Sequence, residues 1–165
     1  MKSKLVINTS PIISIIAATG GLGILEYLYS DVIITKEVYD EIFSSSEKRF
    51  AKTGHFNQKF LHILEKPTEI NIHLNNVLDI GEASVIQHAL NNNIELVCID
   101  EKVGRRYARL YNRKVTGTLG VLLKIKNLDK KLSIRQCIKR MQRHGIYLSE
   151  DLIKEIIILS GEREK

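Results

Sequence analysis

Leu5-Val6-Ile7-Asn8-Thr9-Ser10-Pro11-Ile12-Ile13 is the stretch whose reading decides the fold. Its first three residues are a wholly apolar run, as in a strand buried on both faces of a parallel sheet. Asn8 ends that run. Thr9 or Ser10 can then cap a helix, and Pro11 suits a first helical turn, so the spacing predicts strand, turn and helix with polar side chains at the junction. Ile12, Ile13, Ile15, Ile16 and Ala17 leave the helix almost no polar face, and Gly20-Gly21 stops it. Behind Lys2 and Lys4 the segment also has the outline of a secretory signal, but residues 8–11 cut the apolar stretch in two. No other run approaches the roughly 18 apolar residues of a membrane span.

The same unit recurs along the chain. Val32-Ile33-Ile34 reads as a second buried strand, with Thr35 capping a helix through Phe43. Glu95 to Ile99 reads as a strand before a helix over 102–112, and Val115-Thr116 as a brief strand before a helix over 119–125. Serines 44–46 and residues 48–54 read as a polar connection. Phe56, Phe60, Leu61 and Leu64 keep a helical period up to Pro67, while Ile70, Ile72 and Leu74 alternate like a half-exposed strand. Gly81 opens a helix with Val85, Ile86, Ala89 and Leu90 inward, and two more helices over 133–143 and 149–159 finish the chain. Strand–helix alternation implies a three-layer α/β/α fold around a central, mostly parallel sheet. With no internal repeat and no long linker, we expect a single domain over 1–165, of which 126–165 is a C-terminal helical extension.

The composition agrees with such a domain. The chain has 165 residues, 44% apolar and 27% charged with 2 prolines, enough for one core and unlike a disordered or collagen-like chain. Its 2 cysteines, Cys98 and Cys137, lack companion histidines at ligand spacing, which excludes a zinc finger, an iron–sulfur cluster and a disulfide scaffold, and points to a reducing, cytoplasmic setting. The net charge of +6 is unevenly spread: residues 1–99 carry 8 basic and 11 acidic groups, residues 100–143 carry 14 and 3, and residues 144–165 carry 3 and 5. A block this basic suits a nucleic acid, an acidic protein partner or plain solvation. At about 100° per residue, Lys102, Arg105, Arg106, Arg109 and Arg113 share one arc of a continuous helix, with Val103, Tyr107 and Leu110 on another.

Three carboxylates stand where solubilising groups do not belong. Glu41 lies beside Val38 and Ile42 on the apolar stripe of its helix, and Glu82 stands in the first turn of another. Asp100 ends the strand Leu96-Val97-Cys98-Ile99, at the edge where open α/β sheets place their ligands, and Asn8 holds the same position after the first strand. Carboxylates facing a low-dielectric interior need a cation or donors, and Mg²⁺ or Mn²⁺, which prefer hard oxygen ligands, would meet all three. The plainer alternatives are a helix-dipole role for Glu82 and a lysine partner for Glu41. Thr116-Gly117-Thr118 fits either a phosphate or a helix cap. The five histidines share no ligand spacing, and neither GxxxxGK[ST] nor GxSxG occurs.

Taken together, Val6 to Ile13, Val38-Tyr39-Asp40-Glu41-Ile42, Leu78 to Ala83, Ile99 to Arg106, Val115 to Val121 and Gly145 to Ser149 resemble the PIN-domain superfamily. Within it they are similar to a PIN-like bacterial and archaeal subgroup without an assigned function, often encoded beside small antitoxin-like partners. The resemblance implies a Mg²⁺- or Mn²⁺-dependent endoribonuclease, the toxin component of a toxin–antitoxin pair, with four site positions matching Asn8, Glu41, Glu82 and Asp100. Of these, Glu41, Glu82 and Asp100 are the implied metal ligands and Glu101 is an adjacent carboxylate; Asn8 departs from the pattern, offering an amide oxygen without charge. Arg105, Arg106, Arg109 and Arg113 are then expected to guide RNA. A homodimer is expected as well, through apolar helices around 22–28 and 55–64. The alternative is a non-catalytic PIN-like module that binds nucleic acid or protein.

Overall fold

A computed structural model describes residues 1–44, 46 and 48–163; Ser45, in the serine run read as a connection, and the last two residues of the expected domain lie outside the described residues. Five strands form one wholly parallel sheet: β1 (Ser3–Ile7), β2 (Tyr29–Ile34), β3 (Leu61–Ile63), β4 (Leu96–Cys98) and β5 (Lys114–Thr116), in the order β3-β2-β1-β4-β5. The apolar runs are the cause. Leu5, Val6, Ile7, Val32, Ile34, Val97 and Cys98 are fully buried, because a strand covered on both faces has no position for a polar residue. In register, Val6 faces Ile33 on one side and Val97 on the other.

The helices among the described residues are α1 (Thr9–Thr19), α2 (Lys36–Ser44), α3 (Lys48–Thr53), α4 (Ile72–Val77), α5 (Ile80–Asn91), α6 (Lys102–Leu110), α7 (Thr118–Leu128), α8 (Ile134–Arg143) and α9 (Glu150–Ser160), with a 3₁₀ turn over Gly23–Tyr27. Helices α1, α7, α8 and α9 pack together on one side of the sheet, α4, α5 and α6 on the other, and α2 touches both α1 and α5. The outcome is a three-layer α/β/α fold. Thr35 fixes the seam, since its hydroxyl accepts from Val38 N–H and bonds Ser84 of α5 at 2.8 Å. Glu162 ties the C-terminal helices: its carboxylate accepts from the N–H groups of Ile134 and Arg135 and pairs with Lys126 of α7 at 3.3 Å.

Three local readings change. Residues 56–64 are not a helix: Leu61–Ile63 is the edge strand β3, which seats Phe60 and Leu61 in the core. Residues 70–74 are not a strand, because Asn71 caps α4 by accepting from Leu74 N–H, and only Leu74 of that helix is buried. The stretch 48–54 contains the short helix α3, which buries Phe50. In the segments expected to self-associate, Leu22 and Leu25 are fully buried and Phe60 and Leu61 nearly so, while Tyr27 stays exposed and Ile24, Leu28, Phe56 and Leu64 are half-buried. Among the described residues, no helix is long and apolar enough to cross a membrane.

Candidate active site

Asn8 and Asp100 come to the same edge of the sheet because β1 and β4 are neighbours that run the same way, and the Asn8 N–H donates to Cys98 O at 3.0 Å. The chain leaves β1 toward β2 on one side, while β4 and β5 extend the sheet on the other. That reversal opens a crevice beyond the strand ends, the usual ligand position of open α/β sheets.

Asn8, and not Thr9 or Ser10, occupies the cap position of α1, with φ −85° and ψ 169°, yet its side chain makes no cap bond. Among the described residues its Oδ1, buried in a residue only 4% exposed, has no partner. Glu82 sits one turn into α5. Asp79, the α5 cap, accepts from Glu82 N–H at 2.8 Å, and Glu82 Oε1, buried in a residue 5% exposed, likewise has no partner among the described residues. Glu41 comes from α2, where it is an exposed residue beside the apolar stripe of buried Val38 and Ile42 and not part of it, and its Oε2 accepts from Thr9 Oγ1 at 2.8 Å. These groups line one cavity of about 340 Å³ together with Asp79 and Glu101, closed on the apolar side by Val77, Leu78 and Val103.

Two glycines make room for this arrangement. A Cβ at Gly81 would stand 2.9 Å from Glu41 Oε2, 3.3 Å from Asn8 Oδ1 and 3.4 Å from Asp79 Oδ1. At Gly104, where α6 passes over α5, a Cβ would lie 2.6 Å from Glu82 Oε1. Crowding has an electrostatic consequence: burial, together with the negative charges of Asp79, Glu101 and Glu41, pushes the Glu82 carboxyl up to about 7.

Asp100 faces the adjoining cavity, which shares Ser10 and Glu101 with the first. Its Oδ1 accepts from Thr118 N–H at 2.8 Å and its Oδ2 from Thr118 Oγ1 at 2.6 Å. It therefore caps α7, whose own cap residue, Gly117, has no side chain to do so. Between a phosphate site and a helix cap, Thr116-Gly117-Thr118 is the cap. The basic stripe divides too. Arg105 is half-buried and donates to Ile99 O at 2.9 Å, and Arg113, beyond the end of α6, donates to Ile94 O at 3.0 Å and Tyr111 O. Arg106 and Arg109 remain exposed with Lys102. The inward face of α6 is Gly104 and Ala108, while Val103 and Leu110 stay in solvent.

Among the described residues, no three His, Cys, Asp or Glu side chains stand close enough together to hold a metal ion. The donors nonetheless suit a hard divalent cation in kind: two buried oxygens, Asn8 Oδ1 and Glu82 Oε1, lack partners beside the carboxylates of Glu41 and Asp79. Asp79 and Thr9 were not singled out from the sequence as site residues. The three-residue step from Asp79 to Glu82 is a helix-start pattern that could have placed Asp79 there, whereas nothing local announces the Thr9–Glu41 bond across 32 residues.

No curated protein and no solved structure matches the chain. One family model does, that of DUF3368, described as a PIN domain, and it spans residues 4–162. That span takes in all of the sheet but Ser3, both cavities at its carboxyl edge and the C-terminal helices, so the chain belongs to this family of PIN domains.

Proposed function

We propose that this protein is a metal-dependent endoribonuclease and that its reaction centre is the acidic cavity at the ends of β1 and α5. The observation that carries this reading is the pair of unpartnered buried oxygens, Asn8 Oδ1 and Glu82 Oε1, in a cavity with three further carboxylates. Leaving such groups unsatisfied costs on the order of 1–3 kcal/mol each, and a cation offsets that cost where an apolar ligand would add to it. Glu41, Glu82 and Asn8, with Asp79 alongside, are the residues that would hold Mg²⁺ or Mn²⁺. When bound, such an ion activates water and screens the scissile phosphate. The chain supplies the rest. Thr9 orients the Glu41 carboxylate, Asp79 fixes the first turn of α5 under Glu82, and Asp100 holds the start of α7 through Thr118. Arg106 and Arg109, free in solvent on α6, contact the RNA backbone; Arg105 and Arg113 keep that helix and its following turn in place.

The cell-level proposal is that of a toxin held by a small antitoxin protein, acting in the cytoplasm and self-associating as a homodimer. Exposed Ile80, next to Asp79, and Val103, on the cavity wall, give either protein contact an apolar footing at the mouth of the site. Two observations favour the second reading, a non-catalytic binding module: position 8 is neutral, and among the described residues no three His, Cys, Asp or Glu side chains stand close enough to share a metal ion. A fluorescent-RNA cleavage assay with Mn²⁺ separates the two. The ribonuclease reading expects cutting by the parent, none by Glu82→Gln and more by Asn8→Asp; no cutting by parent or Asn8→Asp with RNA binding intact leaves the binding module.

A further inference from the structure

Ser10 and Glu101 belong to two cavities at once. The second, about 460 Å³, lies between α1, the start of α7, α8 and the loop joining α8 to α9, and it has the size of a small-molecule site. Its walls have three characters. Ile13, Leu119, Met141, Ile146 and Leu148 make an apolar floor, Ser10 and Ser14 stand along one edge, and Asp100, held by the Thr118 hydroxyl, and Glu101 add carboxylates on the side of the acidic cavity. Ser14 is only 6% exposed, lines this hollow, and has no hydrogen bond to another described residue. With no partner in the fold, that hydroxyl is left to solvent or to a ligand able to donate or accept.

Tyr147 stands at the rim and is 86% exposed. The loop holds it there: Ile146 and Leu148 are half-buried against the core on either side, so the alternation of an extended chain turns the residue between them outward. Gly145 begins that segment at φ +81°, a backbone state that suits glycine. Among the described residues, no other ring lies against Tyr147. An open aromatic face beside an apolar floor with hydroxyls at one edge has the parts that recognise an unstacked nucleobase.

We infer that this hollow is a nucleobase subsite, in which the base next to the scissile phosphate stacks on Tyr147 and hydrogen-bonds to Ser10 and Ser14. The inference rests on the ribonuclease reading, because Ser10 and Glu101 join the hollow to the acidic cavity: RNA with a phosphate in one places a neighbouring base in the other. The hydroxyls both donate and accept, so the subsite orients a base without selecting one strictly.

The test is equilibrium binding in EDTA, read by fluorescence anisotropy, of a labelled single-stranded RNA and of the same RNA carrying one abasic site at each position in turn. Tyr147→Ala should weaken binding roughly tenfold, within the range of a base–aromatic stack, and Tyr147→Phe should stay within about twofold of the parent. One abasic position should weaken the parent by the same factor and leave Tyr147→Ala unaffected. The inference is overturned if Tyr147→Ala binds like the parent, if no abasic position shows that pattern, or if the parent binds no RNA. Loss of a protein partner by Tyr147→Ala, with RNA binding unchanged, overturns it as well. A parent that binds in this base-dependent way but never cuts RNA sinks the ribonuclease reading and leaves the subsite; one that cuts RNA without base dependence does the reverse.

Discussion

Glu82→Gln probes the acidic cavity through stability alone, before any metal or RNA is added. The Glu82 carboxyl is raised from its ordinary 4.5 to about 7 in the folded chain, by burial first and then by Asp79, Glu101 and Glu41. Folded protein therefore holds this proton more tightly than unfolded protein, and between the two values the folded state binds more protons. Stability consequently falls as pH rises from about 4.5 to about 7. Below that window both states are protonated and there is no penalty; above it both are ionised and the full penalty applies. At about 1.4 kcal/mol per pH unit, the penalty above pH 7 is at most about 3 kcal/mol, since solvent in the open cavity screens part of it. Glutamine keeps the shape and removes the charge, so its variant should match the parent near pH 4.5 and exceed it by up to about 3 kcal/mol at pH 8. For a chain of this length that is a Tm difference of roughly 6–12 °C. Thermal unfolding of both proteins from pH 4.5 to 8 in EDTA measures it, the readout being the difference between them at each pH. A difference that stays flat across the range, or a glutamine variant less stable at pH 8, would refute the claim that Glu82 is an uncompensated carboxyl in an acidic cluster.

The remaining predictions concern the neighbours of that group. Gly81→Ala should leave helix α5 folded, changing stability by less than about 1 kcal/mol, yet displace Glu41 Oε2 from 2.9 Å and weaken Mn²⁺ binding in a calorimetric titration. Asp100→Ala should cost roughly 1–3 kcal/mol by leaving Thr118 N–H and hydroxyl without their acceptors, whereas Asp100→Asn keeps an acceptor for the N–H and should retain most of the stability in denaturant melts. Arg106→Ala or Arg109→Ala should weaken RNA binding and flatten its salt dependence without moving Tm. Arg113→Ala should instead lower Tm, since its guanidinium satisfies the carbonyls of Ile94 and Tyr111.

The strands that could be read from the sequence are those whose signal is local. Leu5 to Ile7 and Val32 to Ile34 are continuous apolar runs because they lie inside the sheet, covered on both faces. β3 was hidden, since edge strand and flanking loop place Phe56, Phe60, Leu61 and Leu64 at spacings that imitate a helix, although the chain there follows the register of β2. α4 was hidden for the opposite reason: Ile72 is 80% exposed, so the alternation of Ile70, Ile72 and Leu74 reports no buried face, and the informative residue was the cap Asn71. On α6 the large side chains divide, Tyr107 packing partly buried against the core while Val103 and Leu110 are exposed, and the buried positions are Gly104 and Ala108, which carry little hydrophobic signal. Gly104 lets the helix approach Glu82 closely.

The site follows the same division. Asn8 and Glu82 are legible as polar residues at a strand end and a helix start. Asp100 was legible in position but not in partner, because Thr118 is supplied by the next strand–helix unit. Arg105 and Arg113 looked like members of a solvent stripe until the carbonyls of Ile99 and Ile94 were found within their reach.

Isothermal titration of Mn²⁺ into the metal-free parent, Glu82→Gln and Asn8→Asp, at a pH above the Glu82 transition near 7, tests most directly whether the cavity holds a cation. The account predicts saturable binding by the parent, loss of that binding in Glu82→Gln, and tighter binding in Asn8→Asp, where position 8 carries a charge. Heats of dilution alone from the parent and from Asn8→Asp, or saturable binding that survives Glu82→Gln unchanged, would contradict it.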